Sequence, residues 1–156
     1  DKSNSPNSSE VEVLILGIVL NIFAAIGSFV FGSMEDRIGV RNVINISLIV
    51  LIVSTIFAFI APLTAFPKEV FWLAGIMLGT MIGPNQSCSR SYMSQITPNN
   101  KKNEFFGFYA LTGKATSFLG PLLFGLITKI YSQQMALLSV LVFFVIGLIM
   151  FNRSQD

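Results

Sequence analysis

"GSMEDRIGVRN", residues 32–42, sets two acids and two arginines between long runs that carry almost no charge. Upstream, residues 11–33 are apolar, with Glu12 at the edge as their sole charge. Downstream, residues 43–61 hold none. Each run is about 20 residues, the length needed to cross a hydrocarbon core of about 30 Å. The stretch therefore reads as a polar turn between two membrane-crossing helices, and it sets the pattern for the rest of the chain.

Three further runs follow, over residues 70–92, 104–129 and 135–151, separated by "PLTAFPKE", "SQITPNNKKN" and "YSQQ". Residues 1–10 are a polar lead expected to be an extracytoplasmic loop remnant, and residues 153–156 a cytoplasmic tail; the transmembrane domain fills 11–152. Ser9 and Glu12 have the spacing of a capping box at the first helix. Of the 156 residues 53% are hydrophobic and 12% charged, half the charge of an ordinary soluble domain, and mean hydropathy is +0.70. Soluble helices need a polar face, which the second and fifth runs lack. Only helices and closed barrels satisfy the backbone in lipid, and these runs are too long and uniformly apolar for barrel strands. The fold class is an all-α membrane protein with five transmembrane helices.

Basic residues set the orientation. Arg37, Arg41, Lys101, Lys102 and Arg153 fall on one side, with Arg90 close by, and Lys2, Lys68 and Lys129 on the other. The richer side is expected to be cytoplasmic, which puts the start outside and the C-terminus inside. A net charge of +2 without a basic tract gives no sign of a nucleic-acid partner. With no His and one cysteine, Cys88, little catalytic chemistry is on offer, so an enzyme, a metal site or a bound cofactor is not expected.

Three of the helices carry stripes. Gly17, Asn21, Ala24, Ser28 and Gly32 share a face of the first, Gly75, Gly79, Gly83, Gln86 and Arg90 a face of the third. Gly107, Ala110, Lys114, Ser117, Pro121 and Gly125 do so in the fourth. Small residues such as Gly75, Gly79, Gly83 and the Gly120–Pro121 pair let helices approach closely in lipid. The second and fifth helices show only scattered small polar residues and read as peripheral padding around a polar centre.

Lys114 lies ten residues past Glu104, or about 15 Å deep at 1.5 Å per residue, near the middle of a bilayer. A charge there costs roughly 2.5–3.5 kcal/mol on insertion scales. Either it bonds backbone carbonyls at the Gly120–Pro121 break, or it faces an aqueous cavity and meets a solute or coupling ion. Arg90 either snorkels from the end of its helix or joins the same cavity. "GPNQSCSR", residues 83–90, combines the helix-kinking Pro84 with polar Gln86, Ser87 and Ser89, an arrangement suited to binding. The expected cavity set is Lys114, Gln86, Asn21, Thr112, Ser117 and Arg90. No Asp or Glu lies inside an apolar span, so a carboxylate proton relay is not expected here.

The 32–42 stretch, with Gly, three residues, Asp, Arg, any residue, Gly, any residue, Arg, resembles the signature loop of the major facilitator superfamily. Val40 departs from that pattern, which often has a basic residue there. The resemblance implies a cytoplasmic gate made by Gly32, Asp36, Arg37, Gly39 and Arg41. In it the glycines allow a tight turn, Asp36 caps the next helix, and the arginines make ion pairs that break on opening. It also implies helices eight to twelve of a twelve-helix carrier, in which the ninth and twelfth are peripheral.

"NQSCSRSYMSQITP" (residues 85–98) and "NEFFGFYALTGKATSFLGPLLFG" (residues 103–125) are similar to the autophagy-related vacuole effluxer family and its bacterial members, a branch of that superfamily. Cys88 stands where an apolar or small residue is expected. The resemblance implies alternating-access export or exchange of a small solute, with amino acids suggested by the fungal members. It implies residence in a bacterial inner membrane and a missing N-terminal half as partner. A membrane scaffold that assembles with partners is the alternative, since it too needs glycine stripes.

Overall fold

The computed structural model describes residues 8–153, with side chains from Glu10 onward. Its five helices are α1 Ser8–Ile38, α2 Val40–Ile60, α3 Pro67–Ile96, α4 Lys102–Ile130 and α5 Gln133–Arg153. Short 3-10 turns, Ala61–Leu63 and Asn99–Lys101, precede α3 and α4. Among the described residues there is no strand. Four of the helices, α1, α2, α4 and α5, are long and apolar enough to cross a membrane. The exception by composition is α3, 30 residues long but polar in its second half, and it lies between α1 and α2.

Residues 1–7 and 154–156, and the capping side chain of Ser9, lie outside the described residues. Residues 8–10 already belong to α1, where Glu10 suits the positive first turn. Glu12 is engaged elsewhere, in an ion pair of 2.8 Å with Lys68 at the start of α3. Both side chains are exposed, so the pair contributes little to stability.

The polar turn is shorter than its sequence suggests. Nothing from Ser33 to Ile38 breaks a helix, so α1 runs on to Ile38 and only Gly39 is non-helical. Gly39 has φ +84°, a conformation that glycine adopts at least cost. Its N–H donates to the Glu35 carbonyl (3.0 Å), and Asn42 Nδ2 donates to that of Ile38 (2.7 Å). Asp36 does not cap α2; it is exposed in the last turn of α1, and Gly39 caps α2 with no side-chain bond. Among the described residues Arg37 and Arg41 make no ion pair. Arg41 instead lies 5.5 Å from the centre of the Tyr92 ring, and Tyr92 meets Phe151 edge-on at 5.4 Å. The start of α2 is thus tied to the ends of α3 and α5 around Val40, Val43, Ile44 and Cys88.

The neighbours run in the order α1, α3, α2, α5, α4. That order corrects the expected division of labour: α2 is the most buried helix, while α4 buries no residue among those described. The reason is that the few polar residues of α2 share one face with small and branched ones. Ser47, Ser54 and Thr55 are sealed beside Val43 and Leu51, and Ser54 donates to the Ala74 carbonyl of α3. On the opposite side Ile46, Ile49 and Ile56 stay exposed, as suits acyl chains.

The α1–α3 seam is closed by absent side chains. A methyl at Gly83 would strike the Ser28 hydroxyl and the Ala24 carbonyl, and one at Gly79 would press on the Leu20 backbone at 3.0 Å. A methyl at Gly27 would overlap the Thr80 carbonyl. That carbonyl lies four residues before Pro84, which has no N–H to offer it. Gly27 lets α1 cover the acceptor that the proline leaves free.

Candidate functional site

α3 and α4 do not pack on each other; they face across an open groove of about 930 Å³. Asn85, Gln86, Ser89 and Arg90 line it from α3. From α4 come Phe106 and Tyr109 near one end and Gly113, Lys114, Thr116 and Ser117 farther along. The helical repeat explains the set. Asn85, Gln86, Ser89 and Arg90 span one face of α3 at steps of one, three and one, while the glycines turn toward α1.

The wall is rich in donors. Lys114, Arg90 and Gln86 are exposed to the groove, and among the described residues the Lys114 ammonium has no hydrogen-bond or ionic partner. The Ser47 hydroxyl donates to Asn85 Oδ1 (3.0 Å), which leaves the Asn85 amide nitrogen free. The hydroxyls are self-satisfied: Ser89 donates to the Asn85 carbonyl (2.6 Å), Thr116 to that of Thr112 (2.8 Å) and Ser117 to that of Lys114 (2.8 Å). Such back-bonding keeps hydroxyl protons occupied beside lipid. Among the described residues no carboxylate lines the groove.

The structure therefore brings Lys114, Gln86, Arg90 and Ser117 to one groove, and it places Asn21 and Thr112 elsewhere. Asn21 lies on an exposed face of α1 beside Gly17 and Ile18, and its amide donates to the Gly17 carbonyl (2.8 Å). Thr112 donates to the Tyr109 carbonyl (2.9 Å) one face round from Lys114. Asn85 and Thr116 were missing from the expected set. Their signal was spacing, since Asn85 precedes Ser89 by one helical turn and Thr116 sits beside Ser117. Gly120 and Pro121 make no close approach, and Gly120 has open space where a side chain would stand. At the turn, Glu35 accepts the Cys88 S–H (3.3 Å), linking α1 to α3.

A second cavity, of about 420 Å³, lies at the opposite end between Ala58, Phe71 and Leu137. Its single charge, Lys68, is already paired with Glu12, which leaves only the Gln133 and Gln134 side chains as polar lining and no unpaired charge. Among the described residues no group of His, Cys, Asp and Glu is arranged to hold a metal ion.

Long apolar helices, a glycine-sealed seam and a cation-lined groove define a multi-pass membrane protein. The chain belongs to the vacuole effluxer Atg22-like family, whose model matches residues 4–155. It is similar to the uncharacterized MFS-type transporter YxiO of Bacillus subtilis, 29% identical over 138 residues, covering 88% of this chain and 31% of that protein. Autophagy-related protein 22 of Kluyveromyces lactis is 35% identical over 86 residues, 54% of this chain and 18% of that protein. Its Saccharomyces cerevisiae counterpart is 43% identical over 60 residues, 38% of this chain and 11% of that protein. The chain thus spans less than a third of the length of these relatives. No solved structure matches it.

Proposed function

We propose that the chain is the C-terminal part of a secondary active transporter that moves a small solute by alternating access, with amino acids among the candidate cargoes. Lys114 carries the reading. It sits mid-way along α4 with its ammonium unpartnered and a groove of about 930 Å³ beside it. A buried charge in lipid is expensive enough to be a functional marker by default. Sites of this kind lie between two halves, so the remaining part of the transporter closes the groove that α3 and α4 leave open. Gln86, Arg90 and Ser117 share the wall with Lys114. The basic end, with Arg37, Arg41, Lys101, Lys102 and Arg153, faces the cytoplasm of a bacterial plasma membrane, and Gly39 is the pivot of the gate there.

The test is transport by the full-length protein in vesicles. Lys114→Ala abolishes transport, while the variant still inserts and purifies at the normal yield. Transport at the unmodified rate would remove Lys114 from the site and the reading with it.

A further inference from the structure

We infer that residues 85–96 are a separately hinged end of α3, and that the turn at Gly39 is the latch holding that end against α1 and α2. Hinge and latch stand on contacts within this chain; their consequence for a solute rests on the transport function proposed for the α3–α4 groove.

α3 is held by different means on the two sides of Pro84. Before it, Gly79 and Gly83 bring the helix into close backbone contact with α1, and Gly75 receives the Leu16 side chain. From residue 85 on there is no glycine, and the ties are single side-chain contacts. Asn85 Oδ1 accepts from the Ser47 hydroxyl (3.0 Å), and the Cys88 S–H donates to Glu35 Oε2 (3.3 Å). The Tyr92 ring takes Arg41 on its face at 5.5 Å and Phe151 edge-on at 5.4 Å. Positions 85, 88 and 92 share one helical face. Between the two regimes Pro84 offers no N–H to the Thr80 carbonyl, so the backbone ladder is open where the packing changes. Helices bend at such places.

The latch has two arms. Glu35 and Arg41 flank Gly39, the sole non-helical residue between α1 and α2, and they grip Cys88 and Tyr92. Those two residues are one helical turn apart, about 6 Å along α3. Val40, Val43 and Ile44 close around the buried Cys88 between the arms. Each grip is weak by itself, since a thiol is a poor donor and Arg41 is exposed. A small displacement of the turn therefore frees residues 85–96, while the glycine seam keeps the rest of α3 in place. Gln86, Ser89 and Arg90 line the groove from the same segment. The latch thus sets where they stand.

Hydrogen exchange followed by mass spectrometry on the full-length protein in nanodiscs, with no solute added, tests this. Gly39→Ala is the decisive variant. Its methyl would meet nothing within 4 Å, so it acts only by straining a backbone held at φ +84°. Exchange over residues 85–96 rises about two- to fivefold, the factor carried by one contact of this strength, and exchange over residues 70–83 does not change. Glu35→Ala and Tyr92→Leu have the same effect, and with both present Gly39→Ala adds nothing in α3. Glu35→Gln, which keeps an acceptor for the thiol, exchanges at the natural rate. An effect of Gly39→Ala confined to residues 36–42 overturns the latch. A rise spread evenly over residues 70–96 overturns the hinge at Pro84, and no change with Glu35→Ala and Tyr92→Leu together overturns both. These outcomes do not depend on whether the groove carries a solute. Undiminished vesicle transport by a Gly39→Ala protein whose α3 end has loosened would sever the latch from the groove.

Discussion

The two faces of α3 are built on opposite rules. Toward α1, Gly75, Gly79 and Gly83 remove every side chain that would hold the helices apart, and Leu20, Ala24 and Ser28 fill the space. Toward α4, Asn85, Gln86, Ser89 and Arg90 project into a groove that no neighbour fills. Lipid offers no hydrophobic drive between helices, so the first face holds by close contact alone. The second repels lipid and must be matched by water, solute or another part of the protein. Both demands fall on one helix, which is why α3 is less apolar than the other four. Pro84 sits at the crossing of the two. It frees the Thr80 carbonyl on the sealed side and immediately precedes Asn85 on the open one.

The comparison breaks most readily at Gly27. Gly27→Leu drives a branched side chain into the Thr80 backbone, which has no flexible end to move aside. The cost lies at or above the top of the roughly 1–3 kcal/mol usual for overpacking. The same change at Gly113, in the groove with open space around it, has the opposite sign. There the gain in helix propensity is roughly 0.5–1 kcal/mol. Thermal unfolding of the full-length protein in detergent separates the two, and equal losses at both positions would erase the distinction between the faces.

Much of this was legible in the sequence, and what was not has physical causes. Five apolar runs and the glycine spacing of α3 need only length and helical repeat, so they can be read one helix at a time. Lys114, Gln86 and Arg90 stand out because charge and amide groups are rare in such runs. The turn at Gly39 was hidden because "SMEDRI" is polar without containing a helix breaker, and polarity was taken for loop. The burial of α2 was hidden because Ser47 and Ser54 look incidental until their partners on α3 are known. Asn21 shares a stripe with Ala24 and Ser28, yet α3 is met by Leu16, Leu20, Ala24, Gly27 and Ser28, a row that passes one residue to the side of Asn21. Arg41 found an aromatic ring rather than a carboxylate, a choice fixed by the ends of α3 and α5, far away in sequence.

A smaller effect links the two faces of α3 through α2. The Ser47 hydroxyl is buried and serves both the Ile44 carbonyl (2.8 Å) and Asn85 Oδ1. Ser47→Ala removes one interhelical hydrogen bond, worth about 0.6 kcal/mol in membrane interiors. It also releases Asn85 to turn within the groove. The unfolding temperature therefore shifts slightly, and the larger change is in the apparent affinity for solute. A Ser47→Ala variant with lowered stability and unchanged affinity would confine Ser47 to packing and detach Asn85 from the site.

An effect of similar size on stability belongs to the basic end, where the sealed side is fastened. Arg41 over Tyr92 is a cation–π contact at a partly exposed position, worth about 0.5–1 kcal/mol. A double-mutant cycle isolates it. Arg41→Gln costs about that much in the natural background and next to nothing when Tyr92→Leu is already present. The coupling also weakens little with added salt, because the ring's partner is a quadrupole in contact rather than a distant charge. A coupling near zero would return Arg41 to solvent. One that vanishes with added salt would instead place a carboxylate from elsewhere in the full-length protein beside it, making the start of α2 a charge-paired contact rather than an aromatic clasp.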